Sequence, residues 1–195
     1  EFYSRVRVEE SIRRADVVLF MFDARNKVSR VDKALANYIC GRFKPCIIVV
    51  NKWDLVKGVP TGEFADYFTS ALPLIRHAPV AFVSALANKR VRSTIDLARS
   101  LWKQARLRVQ TAELNSVIEE LKRRPQRGAK VARRPKIYYG TQVDVAPPTL
   151  ILFVNSPAIF TGTARRFVSK FLREHLPFHE IPIVVRYKKA TSRKT

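Results

Sequence analysis

Five apolar residues in succession, Cys46 to Val50, run directly into Asn51-Lys52-Trp53-Asp54. A strand apolar at every position offers no face to solvent, so it belongs inside a sheet covered on both sides. Two other runs have the same character: Val17 to Phe22, ending at Asp23, and Pro79 to Val83, ending at Ser84. The segments between them carry helical period. Residues 29–42 set Val31, Leu35, Tyr38 and Ile39 on one face, with Ser29 placed to cap the helix. A helix is predicted from Glu63 to Leu74, and another from Ser93 to Val109 with Ile95, Ala98, Leu101, Trp102 and Ala105 turned inward. Doubly apolar strands alternating with amphipathic helices define an α/β class, a parallel sheet with flanking helices, over residues 1–109. Three strands make a thin sheet for such a domain.

Residues 110–195 have another rhythm, predicting a small α+β unit of order α-β-β-α-β. Residues 111–123 form a helix burying Leu114, Val117, Ile118 and Leu121. A basic, proline-containing linker, 122–136, follows. Ile137, Tyr139, Thr141, Val143 and Val145 then alternate as one face of a half-buried strand, and Pro147-Pro148 turn the chain into Thr149 to Val154. A helix from Thr163 to His175 carries Phe167, Val168, Phe171 and Leu172 at helical spacing, and Ile181 to Tyr187 is the last strand before a basic tail.

Charge narrows the partners. The chain of 195 residues carries +21, with +10 on residues 1–108 and +11 on the shorter remainder. The run Lys122 to Lys136 holds eight basic residues and no acid. An excess of this size on both halves points to a polyanion, and nucleic acid is the usual one. No apolar run approaches the ~20 residues of a membrane-spanning helix. Cys40 and Cys46 form no C-x-x-C pair, which excludes a disulfide framework and a cysteine zinc site. His77, His175 and His179 share no ligand spacing, so no metal site is expected. The six glycines never fall within two residues of each other, so no Gly-rich phosphate loop can be written.

The chemistry sits where the apolar strands end. A carboxylate at Asp54 can accept two parallel hydrogen bonds, from N1–H and the exocyclic amine of guanine, a donor pair that adenine lacks. Asn51 can reach the opposite edge of the base and tie the loop down. The Lys52 stem can lie along the face of the base with its ammonium in water. About thirty residues on, the third strand ends in Ser84-Ala85-Leu86, small enough at its start for backbone N–H groups to approach the guanine O6. The plainer alternatives are an N-cap role for Asp54 and a turn-forming role for Asn51.

With these residues in view, the chain resembles the translational GTPases of the Era-like group, and more closely the C-terminal part of the EngA (Der) family. Three stretches carry the resemblance: Ala15 to Ala24 followed by Asp32, Lys44 to Val56, and RRPKIYYGTQV through IPIVVRYKK. It implies the latter half of a P-loop GTPase-type sheet followed by a KH-like domain, with GTP or GDP as ligand and guanine read by Asn51, Lys52, Asp54, Ser84, Ala85 and Leu86. It further implies a role in maturation of the large ribosomal subunit, with ribosomal RNA, the subunit precursor and other assembly factors as partners. Bacterial cytoplasm and the mitochondrial matrix, with the plastid less favoured, are the compartments it allows.

The family's G-x-x-x-x-G-K-[ST] loop, switch threonine and D-x-x-G loop have no counterpart in these residues. The 195 residues by themselves are therefore not expected to hydrolyse GTP, Mg²⁺ would bind only alongside those motifs, and a longer parent chain is expected. Val31 stands where the family has Gln, and Asn88-Lys89-Arg90 where a glycine is usual. No G-x-x-G loop is present, so the KH-like unit is not expected to read RNA sequence. Arg123, Arg124, Arg127, Lys130, Arg133, Arg134 and Lys136, with Arg165, Arg166, Lys188 and Lys189, are candidates for contacts to RNA phosphates. The competing reading is a non-enzymatic RNA-binding scaffold with a vestigial guanine site.

Overall fold

A computed structural model of the chain describes residues 2–124 and 135–190. It divides into two compact units, residues 1–104 with 180–182, and residues 105–179 with 183–195.

The first unit is a parallel sheet with helices. In chain order it contains α1 (Phe2–Arg14), β1 (Val18–Asp23), α2 (Arg30–Gly41), β2 (Cys46–Asn51), α3 (Thr61–Ala71), β3 (Val80–Phe82) and α4 (Val91–Arg106), whose last residues pass into the second unit. The strands lie in the order β1-β2-β3, all parallel. The central place of β2 follows from its sequence: Cys46 to Val50 are all buried, a stretch with no polar face. The Phe22 ring bridges Phe20 (4.5 Å) and Phe68 (4.8 Å), joining β1 to α3 across the core.

Helix α2 begins as its sequence predicts. Ser29 and Asp32 form a reciprocal capping box, the Asp32 N–H donating to Ser29 Oγ at 3.2 Å and the Ser29 N–H to Asp32 Oδ2 at 2.8 Å. Its buried residues are Ala36 and Ile39, whereas Val31, expected inside, lies in the first turn and is 68% exposed. In α4 Ala98, Leu101 and Ala105 turn inward as expected, and Thr94 joins them in place of Ile95 and Trp102, which face outward.

The second unit contains α5 (Thr111–Arg123), β4 (Ile137–Asp144), β5 (Thr149–Val154), α6 (Gly162–His175) and β6 (Val184–Lys189). Its sheet has the order β4-β5-β6, antiparallel between β4 and β5 and parallel between β5 and β6. Leu114 and Ile118 of α5, Leu150 and Leu152 of β5, and Phe171 and Leu172 of α6 form its core, and Phe167 is exposed.

Two features explain how β4 is held. Its outer edge would offer unpaired backbone groups, and the Asn115 side chain of α5 satisfies them: Asn115 Oδ1 accepts from the Gly140 N–H at 2.9 Å, and Nδ2 donates to the Gly140 carbonyl at 3.1 Å. Lys122 Nζ donates to the Tyr138 carbonyl at 2.9 Å along the same edge. The buried Gln142 amide is likewise satisfied, accepting from the Val109 N–H (2.9 Å) and donating to the carbonyls of Leu107 (2.9 Å) and Asp144 (3.0 Å).

Glycine at 140 is a packing requirement, since a Cβ there would lie 2.7 Å from Ile118 Cδ1 and 2.9 Å from Leu152 Cδ2. Gly140→Ala should therefore destabilise the second unit by about 1–3 kcal/mol, the usual cost of overpacking. Faster hydrogen exchange across α5 and β4 would report it, and Ile118→Val in the same chain, which removes the clashing methyl, should restore part of the protection. Unchanged exchange in Gly140→Ala would contradict the close approach.

The alternation expected along β4 changes phase. The register passes from Ile137↔Val154 to Tyr139↔Phe153, leaving Tyr138 as an extra residue on β4. That bulge turns Ile137 inward while Tyr139 points to the opposite face. Ile137, Gly140 and Gln142 are buried, whereas Tyr139 and Val143, expected on the half-buried face with Ile137, are exposed.

Candidate functional site

Because β1, β2 and β3 are parallel, their carboxyl ends emerge on one edge of the sheet, the edge where ligands bind in open α/β folds. Asp23 and Asn51 end β1 and β2 in direct register, and Ser84 follows β3 by two residues. Asn51 holds the corner together. Its backbone carbonyl accepts from the Ala24 N–H at 2.9 Å, and its Oδ1 accepts from the Ala85 N–H at 3.0 Å. The N-K-x-D and S-A-L segments, 34 residues apart in sequence, are thus one structure.

Lys52 takes a left-handed backbone conformation (φ 60°, ψ 33°), which a non-glycine residue adopts at a cost of about 1–2 kcal/mol. That turn lets the Trp53 N–H reach the Val83 carbonyl at 3.1 Å, a second tie between the two loops. It also brings Lys52 Nζ to 2.7 Å from Asp23 Oδ2. Trp53 is a packing residue, its ring against Phe82 (4.5 Å) and edge-on to Phe64 (5.0 Å). Asp54 sits in the short 3₁₀ turn that follows, exposed and with no hydrogen-bond partner among the described residues. A capping role would have engaged its carboxylate; instead it is free to accept.

The Ser84–Lys89 loop is closed by a two-way backbone bridge, 3.2 Å from Ser84 N–H to the Lys89 carbonyl and 2.9 Å in return. Ser84 is buried and its Oγ accepts from the Ala87 N–H at 3.3 Å. Asn88 (φ 51°) and Arg90 (φ 59°) are both left-handed, which is why a glycine would suit this stretch. Leu86 is 99% exposed, so it packs on nothing and leaves its backbone accessible.

Sequence reasoning assigned no role to Asp23, yet it anchors this edge. The Arg25 guanidinium grips both of its oxygens, Nε to Oδ1 at 3.2 Å and Nη2 to Oδ2 at 3.0 Å, and the Arg25 N–H adds a third bond of 3.0 Å to Oδ1. Arg25 first, then Lys52, hold the Asp23 carboxyl well below the usual carboxylate range. The available signal was positional: an acid at the end of an apolar strand, in register with Asn51. A carboxyl depressed in the fold stabilises it fully above its ordinary value near ~3.9, and that support declines as the pH falls from there through the lower value in the folded chain. The Asp23 carboxyl carbon should therefore show no inflection in an NMR titration from about pH 7 to about pH 3. An inflection near ~4 would mean that neither Arg25 nor Lys52 holds the carboxylate.

The other predicted positions are dispersed. Arg123, Arg124 and Lys136 are exposed at the two described ends flanking the basic run, while Arg127, Lys130, Arg133 and Arg134 lie outside the described residues. Arg165 and Arg166 are exposed on α6, the Arg165 guanidinium 5.3 Å from the Tyr187 ring centroid and its Nε donating to the Phe160 carbonyl at 2.9 Å. Lys188 and Lys189 are exposed on β6. Among the described residues no group of His, Cys, Asp or Glu could hold a metal ion, and no helix is long and apolar enough to cross a membrane. Cys46 is buried, which pushes its thiol up to about 12, while Cys40 is only half-buried.

A parallel sheet whose N-K-x-D and S-A-L loops are joined at its carboxyl edge, followed by an α-β-β-α-β unit, has the arrangement that a GTPase-type sheet with a KH-like domain would give. Over nearly its whole length the chain is similar to proteins of the EngA (Der) family. Residues 108–188 match the family profile described as the KH-domain-like region of EngA bacterial GTPase enzymes, C-terminal. GTPase Der of Rhodopirellula baltica is 41% identical over 184 residues, covering 94% of this chain and 40% of the relative. The Trichodesmium erythraeum protein of the same name is 39% identical (94% and 41%), and that of Fusobacterium nucleatum 32% identical (98% and 44%). The chain thus spans about two fifths of the length of the curated relatives it matches. A structure of Era in complex with MgGDPNP and nucleotides of 16S ribosomal RNA matches at 20% identity and a TM-score of 0.42, covering 95% of this chain and 68% of that one.

Proposed function

We propose that this chain is the guanine-reading and RNA-docking part of a ribosome-assembly GTPase, acting in maturation of the large subunit wherever ribosomes are assembled, in bacterial cytoplasm or an organelle matrix. The observation that carries the reading is the 3.0 Å bond from the Ala85 N–H to Asn51 Oδ1, with the Asp54 carboxylate left free beside it. Asp54 would take N1–H and the exocyclic amine of guanine. The backbone at the exposed Leu86 would approach O6, since the Ser84 and Ala85 N–H groups already donate to the Lys89 carbonyl and Asn51 Oδ1, and the Lys52 stem, its ammonium held by Asp23, would lie along the base. The residues here suit the base and not the phosphates, since they include no phosphate loop, switch threonine or D-x-x-G segment. Charge stabilisation during phosphoryl transfer, and any Mg²⁺, would depend on residues of those kinds.

The exposed residues among Arg123, Arg124, Arg127, Lys130, Arg133, Arg134, Lys136, Arg165, Arg166, Lys188 and Lys189 would meet ribosomal RNA phosphates, placing the factor without reading bases. Titration of this chain with GDP and ADP, followed by intrinsic tryptophan fluorescence in a Trp102→Phe background, tests the nucleotide half of the proposal. Weak binding confined to GDP is expected. Micromolar affinity would contradict the need for a phosphate site, and equal response to both nucleotides would favour the RNA-binding scaffold with a vestigial guanine site.

A further inference from the structure

The bulge at Tyr138 leaves an aromatic pair on the sheet face turned away from α5 and α6. Tyr139 and Phe153 are register partners on β4 and β5, their rings stacked with centroids 4.4 Å apart and planes 15° from parallel. The pair is preorganised, and Tyr139 is 48% exposed, so one ring face is covered by Phe153 while much of the ring remains open. Lys188 is the register partner of Phe153 on β6, which places Tyr139, Phe153 and Lys188 in one row across three strands. Arg186 stands in the next row, and both basic side chains are exposed. Two strand spacings, about 9–10 Å, separate the open aromatic from the cation.

We propose that this face binds unpaired RNA, a base extending the Phe153–Tyr139 stack and the adjoining phosphates meeting Lys188 and Arg186. The inference rests on the RNA-docking reading above and goes beyond it, because phosphate contacts alone would not favour single strands. Charge selects the occupant: an apolar protein partner would leave Lys188 and Arg186 desolvated, whereas a polynucleotide supplies both a π-face and the counter-charge. Aromatic stacking accepts any base, so this face needs no G-x-x-G loop.

The test is anisotropy of fluorescein-labelled single-stranded and duplex RNA with the 195-residue chain. Tyr139→Ala should weaken single-strand binding about tenfold, the loss of one stacked base, and leave duplex binding unchanged. Tyr139→Phe, which keeps the ring, should bind like the parent. Lys188→Gln with Arg186→Gln should lower the salt slope of single-strand binding, which Tyr139→Ala should not alter. Equal single-strand affinity for parent and Tyr139→Ala, with salt-sensitive RNA binding intact, would overturn the stacking site while leaving the docking proposal standing. Equal losses in Tyr139→Ala and Tyr139→Phe would overturn it too, as would protection of this face from hydrogen exchange by a protein partner but not by RNA. No RNA binding by the parent chain would overturn both proposals.

Discussion

Raising salt from about 50 to about 200 mM should cost this chain about a thousandfold in RNA affinity, a larger change than any single substitution should produce. The magnitude follows from counterion release. Each phosphate neutralised returns condensed cations to solution, so about six contacts give a loss of three decades over that range. Eleven candidate basic residues, seven of them within Lys122 to Lys136, are more than enough for that number. Replacing all eight basic residues of that run with Ser should lower the slope by the number of contacts removed, and should weaken all RNA sequences alike, because phosphates carry no sequence information. Filter binding across a salt series measures both. A flat dependence would contradict phosphate docking, and a loss confined to one RNA sequence would mean that the run reads bases.

Asp54→Ala should erase the preference for guanine. The carboxylate is exposed and engaged with no described residue, so its removal should leave stability within about 0.5 kcal/mol and report on the ligand alone. Two hydrogen bonds to a charged acceptor are together worth about 3 kcal/mol or more, which is about a hundredfold in affinity. Binding of a guanine nucleotide should therefore fall by that factor, while adenine, which never used the carboxylate, should be unaffected. Asp54→Asn tests the geometry rather than the charge. Its amide offers one acceptor and one donor, a match for N1–H and the C2 carbonyl of xanthine, so preference should move from guanine to xanthine. Calorimetric titration with the guanine, adenine and xanthine monophosphates would show it. Retained guanine preference in either variant would place base recognition elsewhere.

What the sequence revealed depended on whether the determining pattern was local. The burial of Cys46 to Val50, the cap at Ser29 and the extent of α5 over residues 111–123 are set by neighbours in the chain, and each was legible. The N-K-x-D and S-A-L segments were also legible as a pair, because each follows an apolar strand in a βα rhythm that brings strand ends to one edge. Asp23 was not, because its role arises from the lateral register of β1 against β2, and nothing local says that Lys52 will reach it. The phase of β4 failed for a related reason. Strict alternation predicts Ile137 and Tyr139 on one face, and only pairing with β5 shows the extra residue that separates them. On α4, counting apolar residues favoured Ile95 and Trp102 over Thr94, whose hydroxyl is accommodated inside by donating to the Arg90 carbonyl at 2.8 Å.

The most direct test of the central claim, that the joined Asn51 and Ala85 loops read guanine, is an NMR titration of this chain with GMP, IMP and AMP. Inosine keeps N1–H and O6 but lacks the exocyclic amine, so it can offer Asp54 only one of the two bonds. Shifts at the Trp53 and Ala85 amides should rank GMP above IMP and IMP above AMP. Equal shifts with all three, or shifts confined to residues away from Asn51–Asp54 and Ser84–Leu86, would contradict it.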